Sequence, residues 1–94
     1  MPTGELRFLP RDVQAFEPRA ALDGGEGGLR VLTSVVARST RWLRPGGRLL
    51  LELGGAQGGP VGDEMRLAGF DAITVHNDEG GDDRAIEGRR APVG

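Results

Sequence analysis

The chain contains no cysteine, no lysine and no tyrosine, and only one tryptophan, one histidine and one asparagine. The missing cysteine excludes a disulfide framework, a thiolate metal site and a cysteine nucleophile. All twelve basic residues are arginine, a pattern that reads as codon bias and not as a binding signal. The formal net charge of −2 carries no electrostatic footprint for nucleic acid. No apolar run approaches the roughly 18 residues that a membrane-spanning helix needs. The N-terminal segment Met1–Pro10 lacks the basic start and apolar stretch of a secretion signal. A soluble cytoplasmic protein is expected, with no membrane and no nucleic-acid partner.

What is present is modest. Leu, Ile, Val and Phe number 23 of 94 residues, above the roughly 20% below which chains tend to stay disordered. Gly and Pro together number the same, so one small core with many loops is expected.

Residues 1–28 read as an irregular N-terminal arm. Pro2, Pro10 and Pro18 each bias the preceding residue away from helix, and Asp23–Gly28 is glycine-rich. Residues 29–43 place Leu29, Leu32, Val35, Val36, Ser39 and Leu43 on one helical face. Pro45-Gly46-Gly47 is expected to end that helix. Arg48–Leu53 holds four leucines and reads as a strand buried on both faces. Gly54–Gly59 is a turn, and Pro60 suits the first turn of a second helix with Asp63 and Glu64 near its positive end. Gly69 suits its C-terminal stop. Phe70–His76 and Arg84–Gly88 read as further strands, antiparallel across a short acidic loop, with residues 89–94 frayed. The fold class is α/β: a three-stranded mixed sheet with about two helices, one on each face, plus the arm. A partial α/β domain would cover residues 29–90 and a tail 91–94. The strand–helix–strand unit over 48–76 should be parallel.

Chemistry-bearing motifs are few. Gly54–Gly59 lies between strand and helix, where phosphate-cradling loops occur, but neither a Lys-Ser/Thr pair nor a GxGxxG spacing is present. An ordinary glycine-rich connection is the preferred reading, and a divergent nucleotide-binding loop the lesser one. His76, Asp78, Glu79, Asp82 and Asp83 cluster without calcium-loop spacing and read as a solvated hairpin loop. Glu52 interrupts an apolar strand and should have a polar partner. Trp42 reads as core. Residue chemistry alone assigns no catalytic, cofactor-binding or metal residue.

The order of the pieces is more specific. Asp12-Val13, Phe16-Glu17-Pro18, Ala21-Leu22, Gly24-Gly25 and Gly28-Leu29 come first. Trp42–Gly47, Leu51-Glu52-Leu53-Gly54 with Gln57, Gly69-Phe70, and Asp78, Gly81 and Arg84 follow. Together they resemble the C-terminal part of the HemK/PrmC family, the release-factor glutamine methyltransferases. Two positions depart from the family, which commonly has Asp at Gly27 and Glu at Asp12. The resemblance implies the fifth, sixth and seventh strands of a Rossmann-like sheet, with the seventh antiparallel between the other two. It implies S-adenosylmethionine as cofactor of the complete enzyme and a release factor as its substrate. The family's cofactor loop and its Asn-Pro-Pro-Tyr motif have no counterpart here, and the one asparagine is Asn77. The chain would begin just after that tyrosine, would not bind the cofactor alone, and would be inactive alone. Glu17, Pro18, Glu52 and Gln57 are family-motif positions of unassigned role.

Two functional readings follow: a fragment of a protein-glutamine methyltransferase, or a stand-alone interaction module derived from one. In either, the bare edge at Arg48–Leu53 is expected to drive homo-oligomerisation. A fold-back of arm residues 5–16 over that edge is the alternative.

Overall fold

The structure, a computed structural model, describes residues 3–8 and 26–92. The elements in chain order are β1 (Thr3–Phe8), α1 (Glu26–Ser39), β2 (Leu43–Glu52), α2 (Gly58–Leu67), β3 (Phe70–Asn77) and β4 (Asp83–Arg90). Four strands form one sheet in the order β1-β2-β4-β3. β1 and β2 run parallel, whereas β4 runs antiparallel to both β2 and β3. The last strand therefore lies antiparallel between two parallel strands, the arrangement the resemblance implies.

The α/β class holds, but the sheet has four strands and not three. The added strand comes from the expected arm. Glu5, Leu6, Arg7 and Phe8 alternate polar and apolar, a period-2 signal that is short and flanked by prolines. Glu5 to Phe8 pair in register with Arg48 to Leu51, so β1 covers the β2 edge that was expected to be bare, as in the alternative in which arm residues 5–16 cover it. Residues 9–25 of the arm, including Glu17 and Pro18, lie outside the described residues.

Helix boundaries also move. α1 begins at Glu26, inside the glycine-rich stretch, and ends at Ser39, short of Leu43. The hydroxyls of Ser39 and Thr40 donate to the Val36 and Ala37 carbonyls at 2.7 and 2.9 Å. The amides of Arg41 and Trp42 turn back onto Arg38 and Ser39, closing a tight turn. Trp42 sits in that turn, 42% exposed, not in the core. Pro45-Gly46-Gly47 does not end the helix but forms a bulge in β2. Thr3 opposes Leu43 and Glu5 opposes Arg48, so four β2 residues bow out against one in β1. Gly46 takes φ +82° there, a conformation that L side chains rarely adopt. β4 runs on to Arg90, so Arg89 and Arg90 pair with β2 and β3 and do not fray.

Both helices pack on the same face of the sheet and on each other, not one on each face. The core joins Val31, Leu32, Val35 and Val36 of α1 and Val61 and Met65 of α2 to Leu43, Leu49 and Leu51 of β2, Phe70 of β3 and Ile86 of β4. Gly88 lets Met65 approach β4: a Cβ built there would lie 2.5 Å from the Met65 Cε. The opposite face carries Arg48, Glu87, Arg89, Asp71 and His76 and has no helix over it among the described residues.

Candidate functional site

The carboxyl end of β2 is where open α/β sheets place ligands. Here it leads into residues 53–58, and the end of β3 and the start of β4 lie alongside. Leu53 donates its amide to the Arg84 carbonyl at 2.9 Å, which ties the loop's first residue to β4. Gln57 folds the loop on itself. Its side-chain Oε1 accepts the Gly54 amide at 2.9 Å, and its own amide donates to the Gly54 carbonyl at 3.2 Å. This gives Gln57 a structural role that sequence reading left unassigned.

Asp83 latches the far side. Its Oδ2 accepts the Gly58 amide at 2.8 Å, and its amide donates to the Gly55 carbonyl at 2.9 Å. Its Oδ1 accepts the Asn77 side-chain amide at 2.6 Å. The carboxylate at the positive end of α2 is thus Asp83, brought from β4, and not Asp63 or Glu64. Asp63 lies in the second turn and bonds Arg66 at 3.1 Å. Sequence reading placed Asp83 in a solvated loop, and no local signal marks a partner 25 positions away.

The contacts decide what the glycine-rich loop can do. The Gly54 and Gly58 amides are both taken by the protein's own oxygens, and a carboxylate occupies the anion position at the N-terminus of α2. A phosphate would meet that negative charge, so the nucleotide-binding reading of Gly54–Gly59 does not fit. The acidic hairpin turn is likewise internally bonded. Asp78 Oδ1 accepts the Asp82 amide at 3.0 Å, and Asp78 and Asp82 also pair through their backbones. No group of three or more potential metal ligands occurs among the described residues.

Glu52 ends β2, half-buried on the open face opposite Ala85. Its carboxylate has no hydrogen bond or ion pair among the described residues, so the polar partner expected from the sequence is not found among them. Two groups of side chains on that face do pair. Glu87 bridges Arg48 and His76, the latter at 2.9 Å. These two hydrogen bonds, His76 first, hold its carboxyl below the ordinary range. Arg89 grips Asp71 through two contacts of 2.9 and 3.0 Å, which lowers the Asp71 carboxyl and raises the Arg89 guanidinium. His76 is therefore a hydrogen-bond partner of Glu87 at a strand end.

No family profile matches the chain. Curated relatives do. A release factor glutamine methyltransferase of Geobacter sulfurreducens is 39% identical over 89 residues, which is 95% of this chain and 31% of that protein. One from Cereibacter sphaeroides is 39% identical over 85 residues, 90% of this chain and 31% of its own length. One from Moorella thermoacetica reaches 46% over 69 residues, 73% of this chain and 24% of its own. The crystal structure of a protein described as a DNA modification methylase from Thermus thermophilus matches the whole chain. It does so with a TM-score of 0.60 over 48% of its own length at 19% identity, a likeness of fold alone. The chain spans about three tenths of the first relatives' length. It belongs to the release factor glutamine methyltransferase family and corresponds to its C-terminal portion.

Proposed function

We propose that this chain is the sheet-and-helix scaffold of an enzyme that methylates a glutamine side chain of a peptide chain release factor. The supporting observation is the match to release factor glutamine methyltransferases over 95% of the chain. The geometry is compatible with that role. Gln57 and Asp83 fix the loop at the carboxyl end of β2, giving a rigid wall beside which a substrate amide can be held. The family's methyl donor, S-adenosylmethionine, binds in this reading to the remainder of the enzyme. The Gly54–Gly58 loop does not fit it: its flanking amides are engaged, and Asp83 puts negative charge at the helix terminus. By itself the chain neither binds the donor nor transfers a methyl group. A cytoplasmic location belongs to the same reading.

The test is a chimera. Residues 3–92 replace the matching segment of the Geobacter sulfurreducens relative, and methyl transfer to a release factor is measured. Activity in the chimera, with none in the isolated chain, is the expected result. A folded chimera that transfers nothing while the parent relative is active would overturn the scaffold reading. Transfer by the isolated chain would overturn its inactivity.

A further inference from the structure

The loop at the carboxyl end of β2 has few side chains with which to hold its place. An added Cβ at Gly54, Gly55 or Gly59 would meet nothing within 4 Å, and Ala56 is exposed. The contacts between Gln57 and Gly54 close the turn but do not fix where it sits against the sheet. Three bonds among the described residues do that, and all reach the start of β4. The Leu53 amide goes to the Arg84 carbonyl, and Asp83 supplies the other two, to Gly55 and Gly58.

Gly58 admits this approach because it has no side chain. A Cβ there would lie 2.8 Å from Asp83 Oδ2 and 2.9 Å from Val75 Cγ1. Asp83 is itself held from β3. Asn77 Nδ2 donates to its Oδ1 at 2.6 Å and reaches the Gly81 carbonyl at 3.5 Å. One carboxylate oxygen therefore serves the loop and the other serves the hairpin, and engaging both fixes how the carboxylate is turned. Asn77 stands two contacts from the loop whose place it sets.

We infer that Asn77 and Asp83 are positioning residues for the methyl transfer proposed above: the Asn77 amide orients the Asp83 carboxylate, which sets residues 54–58 against the release factor. The inference rests on the methyltransferase reading of this loop. Both residues act through the loop and not on the reacting amide. Misplacing a substrate-holding element by about 1 Å costs on the order of a hundredfold in rate, so smaller shifts are measurable.

The chimera carrying residues 3–92 in the Geobacter sulfurreducens relative tests it, with release factor and S-adenosylmethionine varied separately. Asp83→Ala should raise the KM for the release factor about tenfold and leave that for S-adenosylmethionine within about twofold of the parent. Asn77→Asp sets carboxylate against carboxylate and should raise the release-factor KM about fivefold. The double variant Asn77→Asp, Asp83→Asn exchanges the two groups. The new amide at position 83 accepts from Gly58 through its oxygen and donates through its nitrogen to the new carboxylate at position 77. The release-factor KM should then return to within about twofold of the parent. Loss of folded enzyme alone lowers kcat and moves neither KM, so that pattern overturns the inference. Unchanged kinetics in Asp83→Ala, an equal rise in both KM values, or a double variant no better than Asn77→Asp overturns it as well. An inactive parent chimera overturns the methyltransferase reading and this inference with it, whereas any of the other failures in an active chimera overturns the inference alone.

Discussion

The carboxylate of Asp83 accepts the Gly58 amide at 2.8 Å, so the first residue of the last strand caps a helix that begins 25 positions earlier. Gly58 is buried, which leaves its amide no ready replacement in water. The same carboxylate holds the Asn77 side chain, so three elements meet on one group.

Replacing Asp83 with Ala removes the cap and strands the Gly58 amide. The loss should be about 1–2 kcal/mol, read as a lower midpoint in chemical denaturation. Faster hydrogen exchange at Gly58 should accompany it.

Gly88→Ala forces a methyl group against Met65, whose Cε lies 2.5 Å from the ideal Cβ position. Met65 is flexible but fully buried, so repacking is confined. A destabilisation of about 1–3 kcal/mol is expected from overpacking. Adding Met65→Leu should change that loss non-additively, because the two sites touch.

Glu52→Gln should be close to neutral, within about 0.5 kcal/mol, because the carboxylate has no partner to lose among the described residues. Equal denaturation midpoints for parent and variant would bear this out.

Acid should weaken the open face. Glu87 and Asp71 are held below their ordinary values of 4.5 and 3.8 by hydrogen bonds from His76 and Arg48 and from Arg89. A lowered carboxyl stabilises the fold fully above its unfolded value, and that contribution fades as pH falls through the folded value. The stability difference between the parent and the double variant Glu87→Gln, Asp71→Asn should therefore be constant near neutrality and shrink below those values. Both groups remain partly exposed, so added salt should reduce the difference as well.

Much of the fold was legible because its signals are local. The spacing of Leu32, Val35 and Val36 marks the buried stripe of α1, and the leucines of β2 mark a strand wherever it pairs. Gly69 at φ +94° stops α2 as its type suggests. The family was legible too, from short pieces in a fixed order. Glu17 and Pro18 lie outside the described residues, and of the two remaining family positions Gln57 alone has a side-chain hydrogen bond among the described residues.

What the sequence alone determined is periodicity and punctuation, because these depend on neighbours three or four residues apart or fewer. It fixed which side of each element is apolar, but not which element covers it. Tertiary structure decided that β1 covers β2, that both helices share one face, and that Pro45–Gly47 bows out of a strand instead of ending a helix. It also chose Asp83 over Asp63 and Glu64 as the carboxylate at α2. Each of these is a competition between distant groups for one partner. Geometry across the sheet settles it, and no local pattern encodes that geometry.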